Sequence, residues 1–467
     1  MRKVKNRGER MKSKKMTAVI LLVVLMASIT AIVAVNIARQ EKLISLKTVD
    51  GTEFATITLV QSNVIVNTTD LSLKECAYLV LDEATSLIAA KENVEHDKAR
   101  KILFKSVDTI NTTLDMAYFE SVRTSLDKSD FISGSTFSVV LTDVNGKILT
   151  VFSNSNKSMN AFCLEKSYLG STIKPVSVYA PAIESGSYNW STMVLDAPVS
   201  KSEDENGTLS DWPVNSTGVY TNQLIPLCDA LTNSTNTVAV RLLKDYGVKK
   251  ALNLLDSEYK LDVSFEKEKL SAMGEKDVLG HVALGYLYNG ASNLDIAGCY
   301  QPFANGGYYT KPYSVVSLEC NEKTVYEQNI QTKRVMSAAT SEIMRKMLRL
   351  VVQDGTGRNA NIKEAIVCGK TGTTTDNKDN RFVGFTPEYI CSVYHTENTK
   401  GNISCEIFSK VMKSLTHSEK EFSESGKIVS KLYCEKTGLL KGDDCSIYKA
   451  GYYANKYLPD VCDKCKK

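Results

Sequence analysis

Histidine is scarce in this 467-residue chain, and the four present (His96, His281, His395 and His417) share no metal-binding spacing. A His-Glu-x-x-His pattern is absent, which argues against a zinc-activated hydrolase, and each histidine reads as solvated or packed in the core. Internal repeats and low-complexity tracts are also missing. The apolar fraction of 43% and charged fraction of 24% belong to a folded protein rather than a disordered one. Basic charge is lacking outside one place. Residues 1–15 hold eight Lys or Arg against a single Glu, a surplus larger than the whole chain's net +4. The remainder is slightly acidic, which removes any general argument for nucleic-acid binding.

One long stretch has no charge at all. The nineteen residues from Thr17 to Val35, at about 1.5 Å each in a helix, nearly match the thickness of a bilayer core. Residues 16–35 are therefore expected to form a transmembrane helix. A cleaved leader is the rival reading, but its apolar region usually runs only about 7–15 residues. The basic arm at 1–15 places the N-terminus in the cytoplasm, so residues from about 36 onward are expected outside the cell.

Beyond the helix, 36–107 mixes a β-like stretch, Thr56 to Val66, with helical patterns at Leu71 to Ala90 and Ala99 to Ile110. Ser135 to Phe152 reads as two strands turning at Asn145-Gly146, a strong hairpin signal. Helices are predicted over Thr172 to Glu184, Thr237 to Asp245, Ser292 to Ala304 and Ser337 to Val352. Strands return at Ala365 to Thr371, Phe382 to Phe385 and Tyr389 to His395. Early and late strands with helices between them imply one sheet closed by its termini and faced by a helical cluster.

Chemistry gathers in three motifs. In Gly170-Ser171-Thr172-Ile173-Lys174, at a helix start, Ser171 and Lys174 are three apart on one helical face, within reach as nucleophile and base. A serine hydroxyl needs a neighbour to take its proton, and a lysine can do so where desolvation or nearby cations lower its pKa. Ser-x-x-Lys alone is common and more often marks a capped surface helix. Two companions change that balance: Ser234-Thr235-Asn236 in a polar loop before a helix, and Lys370-Thr371-Gly372-Thr373 on a late strand.

With those three motifs in that order, the chain from about residue 108 onward resembles the transpeptidase domain of class A penicillin-binding proteins. Val107 to Asp115, Val352 to Arg358, Phe303 to Pro312 and Gly384 to Pro387 are similar to further segments of that family. The resemblance implies an α+β penicillin-binding, serine transpeptidase fold: an antiparallel sheet flanked by helices with a helical subdomain, preceded by one transmembrane helix and a small membrane-proximal region. It implies that Ser171 is acylated, Lys174 is its general base, Ser234 relays a proton to the leaving amine, and Asn236 holds the donor amide. Lys370 would set the charge around Ser234 and Lys174. Thr371 and Thr373 would bind a terminal carboxylate, and the amides of Ser171 and Thr373 would form an oxyanion hole. Gly372 has a physical reason of its own, since a bare strand edge can accept an extended peptide. Leu169 and Arg381 depart from the family's usual Pro and Trp.

The expected organisation is thus a basic arm (1–15), a transmembrane helix (16–35), a membrane-proximal region (36–107), a transpeptidase domain (108–432) and a Cys-containing tail (433–467). A family glycosyltransferase domain would need well over a hundred residues before the transpeptidase. Residues 36–107 give too little room, and they read as either its remnant or an unrelated pedestal. A separate glycan polymerase is the partner this implies, beside stem peptides as substrates and β-lactams as inhibitors. No cofactor and no metal are assigned. A zinc site at Cys434, Cys445, Cys462 and Cys465 is conceivable, but their wide spacing favours one or two disulfides or free thiols. The rival functions are a non-catalytic scaffold or wall-peptide sensor, a D,D-carboxypeptidase, and a β-lactamase. The last lacks a Glu-x-x-Leu-Asn between Asn236 and Lys370 to supply its hydrolytic water.

Overall fold

The computed structural model describes residues 42–60, 62–127, 136–155, 161–203, 207–374, 379–396, 402–419 and 421–465. Among these no helix is long and apolar enough to cross a membrane, and the charge-free run at 17–35 lies outside them.

The first sheet is assembled from three distant pieces of chain. Strands β1 (Ile44–Lys47), β2 (Glu53–Val60) and β3 (Asn63–Asn67) form a meander, and β4 (Thr109–Thr112) pairs parallel to β1. The second sheet begins with the hairpin β5 (Thr136–Asp143) and β6 (Ile148–Ser153). Its turn carries Gly146 at φ +96, and Asp143 accepts the amides of Asn145 and Lys147. Strands β7 (Val315–Cys320) and β8 (Lys323–Glu327) then return to the first sheet, giving the order β8-β7-β4-β1-β2-β3. The boundary expected near residue 107 therefore falls inside one hydrogen-bonded sheet.

Strands β9 (Cys368–Thr373), β10 (Asp379–Phe385) and β11 (Tyr389–Thr396) complete the second sheet in the order β9-β10-β11-β5-β6, antiparallel throughout. The early hairpin and the late strands pair as the sequence pattern predicted. Successive residues of β5, β10 and β11 are buried, so both faces of this sheet are covered, which explains their runs of Val, Ile and Phe. A last hairpin joins β12 (Ile428–Cys434) to β13 (Tyr448–Ala454).

Helix α1 (Lys74–Glu92) follows the meander. The expected helix over Ala99 to Ile110 is instead a helix at His96–Ser106 followed by β4, since Val107 is already extended. Helices α2 (Leu227–Thr232), α3 (Asn236–Tyr246), α4 (Val248–Ser257), α5 (Ser264–Met273) and α6 (Lys276–Leu284) form the helical cluster. Helix α7 (Asn293–Ala304) starts with a reciprocal cap between Ser292 and Asp295 and packs on β11 and β5. Helix α8 (Ala338–Gln353), capped by Ser337, packs on β9, and α9 (Ile403–Lys413) packs on β10 and β11. The result is an α+β body with β9 at a free edge of its sheet.

Candidate active site

The segment that carries Ser171 is not a regular helix. Gly170–Ile173 forms a 3-10 turn and Pro175–Tyr179 a π turn before an α-helix closes at Ala180–Glu184. Pro175 supplies the cause: it has no N–H, and its ring crowds the carbonyl of residue 171, so the ordinary helical ladder cannot form there. The Lys174 amide bonds Ser171's carbonyl in the tighter pattern instead.

Ser171 is partly exposed, whereas Lys174 and Lys370 are fully buried. Lys174 Nζ donates to the Ser234 carbonyl at 2.7 Å, to Asn236 Oδ1 at 2.5 Å and to Ser234 Oγ at 3.4 Å. Its bonds thus go to the second motif, one turn from Ser171. Lys370 Nζ donates to Ser234 Oγ at 2.9 Å and to the Thr371 carbonyl at 3.0 Å. Ser234 Oγ is therefore held between the two amines. The oxygens that accept from the two amines are neutral carbonyl, amide and hydroxyl groups. Burial, and then repulsion from Lys370, hold the Lys174 amine well below its usual range. Burial brings Lys370 down to about 7.

Local backbone explains how Ser234 reaches this position. It adopts φ +59 in the loop between α2 and α3, a left-handed conformation that costs a non-glycine residue energy and clusters at functional sites. Asn236 opens α3, and its Nδ2 donates to the Val214 carbonyl at 2.6 Å. Asn215 Oδ1 accepts the Asn236 amide at 3.0 Å and is itself anchored to Asp196 through Nδ2 at 2.8 Å.

The third motif lies on edge strand β9. Thr371 Oγ1 is 2.6 Å from Thr356 Oγ1, and Thr373 is exposed at the strand end. Gly372 is there for a reason the sequence did not disclose. A Cβ on it would lie 2.7 Å from the Leu169 carbonyl and 2.8 Å from Thr172 Cγ2, so a side chain would push the strand off the serine turn. Likewise a Cβ on Gly170, at φ +53, would stand 3.2 Å from the Thr373 amide nitrogen. The turn bearing Ser171 and the end of β9 are thus in direct contact, which brings the amides of Ser171 and Thr373 to one locality.

Sequence reasoning named all eight residues, and the structure brings Ser171, Lys174, Ser234, Asn236, Lys370, Thr371, Gly372 and Thr373 together. It missed the contact of Thr356 with Thr371, although the segment Val352 to Arg358 had been singled out, and it missed Asn215 and Asp196, which hold Asn236 from segments with no motif of their own. It also left Arg381 without a contact. That buried guanidinium donates through Nε to the Tyr168 carbonyl at 3.0 Å, bonds Ser167 Oγ, and lies 3.9 Å from the Tyr394 ring centre. It fastens β10 to the chain entering the serine turn.

Residues 136–413 match the penicillin binding protein transpeptidase domain. The chain belongs to the penicillin-binding protein transpeptidase family. Penicillin-binding protein 4 of Bacillus subtilis is 29% identical over 236 residues, covering 50% of this chain and 35% of that relative. Penicillin-binding protein 1A of Neisseria lactamica is 36% identical over 234 residues, covering 48% of this chain and 27% of the relative. The chain spans about a third of the length of the curated relatives it matches. The D,D-transpeptidase domain of an Eggerthella lenta peptidoglycan glycosyltransferase superposes with TM-score 0.59 at 20% identity, over 80% of this chain and 98% of that one. Penicillin-binding protein 1A of Haemophilus influenzae gives TM-score 0.58 at 18% identity, over 89% and 63%. These likenesses establish the penicillin-binding transpeptidase fold.

Proposed function

We propose that the protein is a peptidoglycan D,D-transpeptidase that acts through an acyl-Ser171 intermediate. The observation that carries this reading is the buried run from Lys174 through Ser234 Oγ to Lys370, beside a partly exposed serine at a free strand edge. A lysine can serve as a base at neutral pH only if its pKa is brought down, and burial without a counter-ion does that here.

Ser171 Oγ attacks the carbonyl of a D-Ala-D-Ala terminus and its proton passes to neutral Lys174. The oxyanion is met by the amides of Ser171 and Thr373. As the C–N bond breaks, Ser234 Oγ hands a proton to the departing D-Ala amine and is replenished from the lysines on either side. An amine of a second stem peptide then attacks the ester, giving its proton back along the same path, and Ser171 is released. Thr371 and Thr373 take the terminal carboxylate, Asn236 the donor amide, and β9 pairs with the extended donor. In this reading the chain is membrane-anchored through 16–35 with its catalytic body outside the cell, and a separate glycan polymerase supplies the strands to be cross-linked. Recovery of such a polymerase with the protein from detergent-solubilised membranes tests the pairing, and repeated failure to recover one counts against it.

The direct test is labelling with a fluorescent penicillin beside a Ser171→Ala control. A stable covalent band present in the wild type and lost in the variant supports the acyl-serine mechanism and opposes a β-lactamase. Absence of both labelling and D-Ala release from a stem pentapeptide would replace this reading with a scaffold. Release of D-Ala without cross-linking, when acceptor is supplied, would make it a carboxypeptidase.

A further inference from the structure

Outside the serine site, the tail holds a second cluster of nucleophilic side chains. Cys434 ends β12, Cys445 lies in the turn before β13, and Cys462 and Cys465 follow the hairpin at a Cys-x-x-Cys spacing. Their four sulfurs all lie within 4.8 Å of one another. Cys434 and Cys465 are 3.5 Å apart and Cys462 and Cys465 are 3.8 Å apart, well beyond a disulfide bond and close to the edge of a thiolate tetrahedron, about 3.8 Å for metal–sulfur bonds of about 2.3 Å.

Three features hold the sulfurs in place. The Cys462 amide donates to the Leu440 carbonyl at 2.8 Å, where the chain forms a parallel bridge between Leu440 and Val461. A Cβ on Gly442 would fall 2.1 Å from the Cys462 carbonyl, so only glycine permits that approach. Thr437 Oγ1 also donates to the Cys462 sulfur at 3.3 Å. The thiols form a small core of their own with only Leu439 beside them, too little apolar surface to account for the convergence of three chain segments.

We propose that Cys434, Cys445, Cys462 and Cys465 bind one zinc ion as a closed, structural tetrathiolate site. On binding, four thiols release their protons to solvent and form four Zn–S bonds, with no change of oxidation state. Four sulfur ligands leave no open position, so the ion does no chemistry on substrate. Its effect is mechanical. The hairpin it closes rests on the turn at Ser191 and on the helix before Ser234: Ser191 Oγ donates to the Gly438 carbonyl at 2.6 Å, Tyr453 Oη donates to Ser191 Oγ at 2.9 Å, and Tyr433 Oη lies 3.9 Å from Cys228 Sγ on α2.

The test is elemental analysis of the full chain purified without chelator or reductant, with its intact mass. About one zinc per chain is expected, falling to less than a tenth in a Cys462→Ser, Cys465→Ser double variant and unchanged in Cys320→Ser, a cysteine outside the cluster. Because the double variant could misfold, exchange of cobalt(II) into the wild type supplies a second measurement. Tetrahedral thiolate–cobalt absorption is expected, with displacement by zinc. A metal-free wild type whose mass is short by four hydrogens would overturn the proposal in favour of two disulfides. A metal-free wild type with four alkylatable tail thiols would overturn it too, as would zinc retained by the double variant.

Discussion

Two regions of the molecule bury charge of opposite sign and use it differently. At the active site two lysines sit fully out of water against neutral oxygens, and their amines are driven toward the uncharged state. On α1, two glutamates face the catalytic body. Glu75 is buried and accepts the amides of Phe162 at 3.0 Å and Cys163 at 2.7 Å, while Glu83 accepts the Ser314 amide at 2.6 Å. Burial raises the carboxyl pKa of both, so desolvation acts on each region by the same physics. The difference is in the partners. Glu75 and Glu83 meet backbone donors that would otherwise be unpaired, which makes them rivets that fix α1 to the segments at 162–163 and 314. The lysines share a hydroxyl that can lose and regain a proton, which suits them to the proposed relay.

The largest expected break in that contrast is at Lys174. Lys174→Met, which keeps much of the side-chain volume and removes the amine, is expected to lower the rate of penicillin acylation by about 10²–10⁴-fold, the usual worth of a general base. Stopped-flow acylation with circular dichroism as a control for folding measures it; acylation within threefold of wild type would remove Lys174 as the base. A second expectation concerns pH. The base must be neutral, so the acylation rate should rise with pH and level off well below the ordinary lysine value of 10.5. Lys370 carries charge below about pH 7, and that charge helps depress Lys174. Replacing it in Lys370→Gln removes the repulsion, lets Lys174 hold its proton to higher pH, and costs proportionally more activity at pH 6 than at pH 9. An unshifted profile would mean that the two amines do not interact.

What could be read in the sequence divides along the same line. Ser171, Lys174, Ser234, Asn236 and Lys370 were legible because their chemistry is encoded in short spacings, and the five-stranded sheet was legible because its strands carry continuous apolar runs. The rest depends on chain segments far apart. Thr356 matters only because β9 returns beside it, and Ser234's left-handed backbone is imposed by the α2–α3 loop. Gly372 was assigned to peptide access, yet its neighbours are Leu169 and Thr172, about two hundred residues earlier in the chain. The six-stranded sheet escaped notice because β7 and β8 join strands from the N-terminal region. The wide spacing of the tail cysteines, which weighed against a shared site, is undone by two turns that fold back on β12.

The rivet side of the contrast predicts smaller, purely structural effects. Glu75→Leu leaves the amides of Phe162 and Cys163 buried without an acceptor, each worth about 1–3 kcal/mol, and is expected to lower the urea midpoint while penicillin acylation by the folded fraction stays within a few-fold of wild type. Loss of acylation without loss of stability would show that α1 takes part in the relay. The smallest effect belongs to charge that never left water. Lys201 and Asp211 pair at 2.5 Å between two exposed strands, and an Asp211→Asn change there is expected to shift stability by less than about 1 kcal/mol and to fade in high salt. Both side chains stay in contact with solvent, so the pair carries attraction without burial; a larger loss at this pair than at Glu75 would mean that burial is not what separates the two regions.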